Sequence, residues 1–206
     1  MNASAHPLRC RCGALQGTLA NARHVNHAVC YCSDCQAFAH YLGNPSQILD
    51  VRGGSDIVQT QPKNLIFTQG SEQLACIRLT PGGLLRWYSR CCRTPVGNTL
   101  ATPKLSFIGL LHCCLGEDAA SVQKSFGPVT AWVHTHGARG EPKPENRGLG
   151  RSVWWFLRSA IKARVNGDYR RTPLFRLDTG APVATPYVLS VEEHARVMEA
   201  VRSARL

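Results

Sequence analysis

With 206 residues, the chain has room for one mid-sized domain with an extension, or for two small domains. A hydrophobic content of 44% excludes a wholly disordered chain, and no apolar run reaches the roughly 18 residues that a membrane span needs. The net charge of +11 is spread, with 11 Lys and Arg against 6 Asp and Glu in residues 1–138 and 13 against 7 in residues 139–206. That dispersion lacks the concentrated cationic stripe of a nucleic-acid surface and suits an anionic small molecule at least as well. Met1 to Leu8 lack the apolar core of a secretory signal, so the expected setting is the cytoplasm, with no membrane partner.

In chain order, residues 8 to about 112 read as short strands divided by turn signals. Ala14–Ala20, His24–Cys30, Asp56–Gln61, Asn64–Thr68, Gln73–Thr80, Leu84–Ser89 and Leu105–Leu111 are the expected strands. Gly53-Gly54, Pro62, Gly70-Ser71 and Pro81-Gly82-Gly83 punctuate them. One short helix is expected after Ser33, over Asp34–Tyr41, ending near Gly43. A mainly β, antiparallel core follows from this pattern.

Segment Ala138–Gly150, rich in Gly, Pro and alternating charge, reads as a linker between residues 8–137 and a helical extension over residues 151–206. Ser152 is the expected cap of a helix whose apolar positions are Val153, Phe156, Leu157, Ala160, Ile161 and Val165, ended by Gly167. Arg158, Lys162 and Arg164 lie on its other side. The helix is expected to pack on the β core rather than to lie on a membrane surface. Ser190 and Glu193 form a capping-box pattern that opens a last helix through Arg202.

Ten cysteines in a chain with no export signal point to metal or redox chemistry, and their clustering favours metal. Three sets stand out: Cys10-Arg11-Cys12-Gly13, Cys30-Tyr31-Cys32-Ser33-Asp34-Cys35, and Cys91-Cys92. Thiolates are soft ligands suited to Zn2+, and a tetrahedral site takes three or four of them. Cys30, Cys32 and Cys35 offer three sulfurs from one bend, which leaves a fourth position for water or a substrate thiol. Neighbouring side chains on an extended strand point to opposite faces, so Cys92 is the preferred ligand of the adjacent pair, with Cys91 a substitute for a missing partner ligand. A redox switch at Cys91-Cys92 ranks last, because adjacent pairs form strained disulfides.

The order C-x-C-G, C-x-C-x-x-C, then an aromatic strand ending in cysteine-x-Thr-Pro resembles the glutathione-dependent formaldehyde-activating enzyme family, which includes centromere-protein-V-like domains. Strands Asn64-Leu65-Ile66-Phe67 and Leu84-Leu85-Arg86-Trp87-Tyr88 add to the resemblance, which covers about residues 8–112. The resemblance implies a β-tent of small antiparallel sheets pinned by zinc. It also implies a structural zinc on Cys10, Cys12 and the distal pair, and a reaction-linked zinc on Cys30, Cys32 and Cys35. Ser89 stands where the family has its first distal cysteine, and Arg93 replaces a glycine, so one or two zinc ions per chain are expected. The implied activity is carbon–sulfur lyase chemistry on the adduct of a glutathione-like thiol with a small aldehyde. The alternative is a non-catalytic, zinc-stabilised module that binds protein or nucleic acid through its basic helices.

Among other residues, His24, His27 and His40 flank the triplet as general-base candidates, and His134 and His136 form an H-x-H pair. His112-Cys113-Cys114 and Cys76 read as buried small residues at strand positions.

Overall fold

The computed structural model describes residues 5–22, 24–116 and 119–204. Part of the N-terminal reading rests on residues 1–4, which lie outside the described residues. The first elements are β1 (His6–Arg9), β2 (Gln16–Leu19), β3 (Asn26–Cys30), α1 (Ser33–Tyr41) and the single turn α2 (Pro45–Ile48). Next come β4 (Ser55–Thr60), β5 (Leu65–Gln69), β6 (Leu74–Arg78), β7 (Leu85–Ser89), β8 (Pro95–Thr99) and β9 (Ile108–Leu111). The C-terminal part adds α3 (Ala119–Phe126), β10 (Ala131–Val133), α4 (Leu149–Val165), β11 (Tyr187–Val188) and α5 (Val191–Ser203).

These strands form two open sheets. The smaller is β1-β2-β5, antiparallel throughout. The larger is β10-β3-β4-β9-β8-β7-β6-β11, in which only the edge pairs β10–β3 and β11–β6 are parallel. About 27% of the chain is strand and 33% helix, so the fold is mixed and β-rich rather than mainly β. Helix α3 was outside every expected element; Val122 and Phe126, one turn apart, anchor it in the core.

Alternation along the strands sorts residues onto two faces of the large sheet. Leu74 and Cys76 of β6 and Leu110 of β9 pack with Leu8, Leu15 and Leu19 from the region of the small sheet. Ile77 and Leu111, each one residue further on, pack with Ala37 and Phe38 of α1 and Val201 of α5. Trp87 is fully buried in the first of these cores, donating its indole N–H to Thr99 Oγ1 at 3.0 Å, with Phe175 edge-on at 6.2 Å.

The C-terminal part is joined to this frame at several points. Arg147 and Trp132 exchange two backbone hydrogen bonds, and the amide of Arg139 donates to the Arg52 carbonyl at 2.8 Å. Strand β11 extends the large sheet, and Leu174 and Phe175 enter the main core. The expected capping box opens α5: Ser190 Oγ accepts from the Glu193 amide, and Glu193 accepts from the Ser190 amide at 2.9 Å.

Helix α4 departs from expectation twice. It begins at Leu149, not after Ser152, because Gly148 takes a left-handed turn at φ +79°, where a Cβ would meet the Thr130 carbonyl oxygen at 2.3 Å. Ser152 is instead buried inside the helix and accepts from Asn26 Nδ2 at 3.0 Å. The buried face is Ser152, Ala160 and Ala163, whereas Val153, Leu157, Ile161 and Val165 are exposed. Small side chains let the helix approach closely, so the small-residue face is the one that docks. Among the described residues, no helix is long and apolar enough to cross a membrane.

Candidate metal centres

The turn between β1 and β2 carries Cys10 and Cys12, and the turn between β7 and β8 carries Cys91 and Cys92. Gly13, at φ +76°, closes the first turn by donating its amide to the Cys10 carbonyl at 3.0 Å. The four sulfurs lie within 4.8 Å of one another. Cys10–Cys12, Cys10–Cys91, Cys12–Cys91 and Cys91–Cys92 are separated by 3.5, 3.8, 3.3 and 3.9 Å between sulfurs. Tetrahedral zinc with Zn–S bonds of about 2.3 Å requires sulfurs roughly 3.8 Å apart, so this donor set fits that ion.

Cys91 and Cys92 converge because they sit in a turn and not on an extended strand. Arg93, with φ +56°, donates its amide to the Ser89 carbonyl at 2.8 Å and bends the chain back. The opposite-faces argument made for an extended pair therefore does not govern this one, and both cysteines join the group. Ser89 is buried; its Oγ accepts from the Thr94 amide at 3.2 Å and lies 3.4 Å from Cys92 Sγ. Burial pushes the Cys92 thiol up, but hydrogen bonds from Ser89, Thr94 and Cys12 outweigh it and bring the group down to about 5. Burial and its own bonds to Cys12 and Cys10 push Cys91 up to about 12.

The second group is Cys30, Cys32 and Cys35, with sulfurs again within 4.8 Å. Cys30 ends β3, Cys32 is the N-cap of α1, and Cys35 lies in the first turn of that helix. Cys32 Sγ accepts from the Cys35 amide at 3.4 Å, the task that Ser or Asp usually performs at a helix start. The helix N-terminus therefore faces the sulfurs and favours negative charge on them. Cys30 and Cys35 are buried against Ile57, with Val133 of β10 packed beside them.

Arg86 stands behind this group. It is 2% exposed, in the middle of β7. Its guanidinium reaches Asn98 Oδ1 at 3.3 Å and Asp34 at 3.5 Å, and lies 5.6 Å over the Phe38 ring. Hydrogen bonds donated by Cys30 and Cys32 hold the Cys35 thiol well below the ordinary thiol range against the effect of burial, and the Arg86 charge acts in the same direction. Cys30, the donor of the trio, is pushed up. Arg86 was not singled out as functional on the sequence. Its signal was a cation inside the apolar, aromatic strand Leu84–Tyr88, where a buried charge needs a partner.

The chain belongs to a family of unknown function (DUF6151). The family model matches residues 2–186, which includes both cysteine groups, Arg86 and α4. No curated protein matches the chain. Among solved structures, a Rhodobacter sphaeroides protein is similar over 62% of this chain and 99% of its own, at 18% identity and a TM-score of 0.39.

The family's chain places its histidines unevenly around these groups. His27 is buried and occupied on both nitrogens, by Asp56 Oδ1 at 2.7 Å and the Gly127 carbonyl at 2.8 Å. His24 borders a different groove, beside α4. His40 lies further along α1, with its Nε2 buried and unpartnered, and burial lowers its pKa. His134 and His136 are exposed, their rings 6.1 Å apart. His134 directly follows Val133, which pairs with Cys30, and its left-handed φ of +55° is a conformation a histidine holds at some cost. It stands one residue beyond the Val133–Cys30 pair of the register.

Cys76 and Cys114 are buried core thiols. Cys114 donates to the Leu111 carbonyl at 3.2 Å, and Cys113 to the Gln47 carbonyl at 3.5 Å. A cleft of about 990 Å³ runs past Cys10, Arg11, Arg93, His112 and Cys113. Arg11 and Arg93 belong to the two cysteine turns of the four-sulfur group, so that group fixes one wall of the cleft. None of the triplet cysteines lines it.

Proposed function

We propose that the chain is a zinc-dependent carbon–sulfur lyase-like enzyme acting on the adduct of a glutathione-like thiol with a small aldehyde, as its resemblance to the formaldehyde-activating enzymes implies. The observation that carries the reading is the trio Cys30, Cys32 and Cys35, gathered at a helix N-terminus against the buried Arg86. Three sulfurs leave a four-coordinate ion one open position. The four-sulfur group supports a zinc-pinned β-tent, because Cys10–Cys12 and Cys91–Cys92 tie the turn of the small sheet to a turn of the large one.

In this reading Cys30, Cys32 and Cys35 would hold the reaction-linked zinc, and Cys10, Cys12, Cys91 and Cys92 the structural one. The chemistry zinc supplies when held by three thiolates is Lewis acidity toward a fourth ligand, which for a thiol favours the thiolate. Three thiolates carry one more negative charge than the ion neutralises, and Arg86 balances that excess from inside the protein. The α1 N-terminus adds partial positive charge on the same side. We assign proton transfer to His134, which is exposed and one residue beyond the Val133–Cys30 pair. In the synthetic direction the sulfur lone pair attacks the aldehyde carbon, the carbonyl π pair becomes an alkoxide, and that oxygen takes up the proton lost by the thiol. The lyase direction returns the proton and breaks the carbon–sulfur bond.

The test is exchange between glutathione, formaldehyde and their S-hydroxymethyl adduct, followed by magnetisation-transfer NMR. The chain should accelerate exchange above the spontaneous rate, Cys35→Ser should abolish that gain, and Cys76→Ser should retain it. A spontaneous rate with zinc-loaded wild-type protein would refute the proposal. One observation favours the second reading, a non-catalytic zinc-stabilised module: the exposed apolar face of α4, which no catalytic role requires.

A further inference from the structure

Helix α4 keeps its larger apolar side chains out of the core. Leu149, Val153, Trp154, Leu157, Ile161 and Val165 are 46–78% exposed. At 100° per residue these positions span an arc of about 160° on the side away from Ser152 and Ala163, with Ala160 at its Leu149–Val153 margin and Arg164 within it. The stripe runs the whole 17-residue helix, with Trp154, Ile161 and Val165 near the point furthest from the sheet. Scattered exposed apolar residues need no explanation, but a continuous stripe of this length does.

Charge says what covers it. The helix carries Arg151, Arg158, Lys162 and Arg164 and no acid. Arg151, Arg158 and Lys162 flank the stripe on one side and turn into a groove of about 710 Å³ whose far wall includes His24 and Asn64. None of these three cations is in an ion pair among the described residues. A second copy docked stripe to stripe would bring two sets of cations together with no carboxylate in either helix. Nucleic acid would use the cations and Trp154 but would gain nothing from Leu149, Val153, Leu157, Ile161 and Val165.

We propose that α4 is an interfacial helix that seats the protein on an anionic lipid surface, its aliphatic stripe entering the headgroup boundary and Arg151, Arg158 and Lys162 meeting lipid phosphates along the adjoining groove. The helix lies in the plane of the surface and does not cross it. Gly148 and the Arg147–Trp132 backbone pair hold its start against β10, so the stripe is presented by a rigid element.

The test is co-sedimentation of the full, zinc-loaded chain with vesicles of phosphatidylglycerol and phosphatidylcholine, against vesicles of phosphatidylcholine alone. Binding to the anionic vesicles is expected to be about tenfold tighter or more, from electrostatic attraction of the juxtaposed cations. Ile161→Glu and Arg158→Glu should each weaken it markedly. Both positions are exposed, so circular dichroism should show an unchanged fold, and Val191→Glu on α5 should bind as the wild type does. Failure of the wild type to bind anionic vesicles would overturn the proposal, as would binding unaffected by Ile161→Glu. So would dimerisation, or capture of single- or double-stranded DNA, that Ile161→Glu abolishes while vesicle binding persists.

Discussion

Arg86, buried in the middle of β7, sets its charge beside the sulfur of Cys35 in the first turn of α1. An unpaired buried guanidinium is costly, and exposed Asp34 at 3.5 Å is only a partial partner. The sulfur of Cys35, held well below the ordinary thiol range, is the guanidinium's second partner. Replacing Arg86 by Leu is therefore expected to lower zinc affinity at the triplet about tenfold or more, the range typical of residues that support metal ligands. Chelator competition would detect this as one weakened zinc per chain, with the four-sulfur group unaffected. Unchanged zinc affinity at the triplet would contradict the role assigned to Arg86.

The four-sulfur group links distant parts of the chain, so metal removal should loosen the join between the sheets. Cys12→Ser is expected to lower unfolding stability by roughly several kcal/mol in the presence of zinc, since structural zinc contributes directly to folding. Urea unfolding with and without zinc reads the difference. A variant as stable as the wild type would mean that this group is no structural centre.

The His27–Asp56 pair gives the fold a pH dependence. Burial lowers the pKa of His27, but Asp56 and the Gly127 carbonyl together raise it above the ordinary 6.5. A histidine whose folded-state pKa is raised contributes stability that is fully present below the unfolded value of 6.5 and is lost as pH rises through the folded value. Stability should therefore decline above pH 6.5 in the wild type, and Asp56→Asn should flatten that decline. Urea midpoints across this window check the sign.

Trp87 fills the main core and its N–H is satisfied by Thr99. Trp87→Ala is expected to cost about 3–5 kcal/mol, from lost apolar burial and the cavity it leaves. A loss below about 1 kcal/mol would mean that Phe175 and its neighbours collapse into the space.

Much of this architecture could be read from the chain. Alternating apolar residues between Gly and Pro turns mark β2 to β7 and β9, and Ser190 with Glu193 marks the start of α5. The clustering of Cys10, Cys12, Cys91 and Cys92 as soft ligands was legible from their C-x-C and adjacent spacing, and the structure brings the four together. Other features depend on tertiary context. Strand β8, Pro95-Val96-Gly97-Asn98-Thr99, has the composition of a turn and is a strand because its neighbours β7 and β9 pair with it. The short edge strands β10 and β11 have no periodicity to recognise. In α4 the expected apolar face included Ala160, which does dock, but Ser152 and Ala163 complete the docking surface while Val153, Leu157, Ile161 and Val165 stay exposed. Arg86 was a charge in an apolar strand, and its partner became visible only once α1 was folded across it.

The most direct test is zinc per chain, by elemental analysis of protein purified under reducing conditions, for the wild type and for Cys35→Ser. The account predicts two zinc ions in the wild type and one in the variant, with the fold retained. No zinc in folded wild-type protein, or the same zinc content in both, would contradict it.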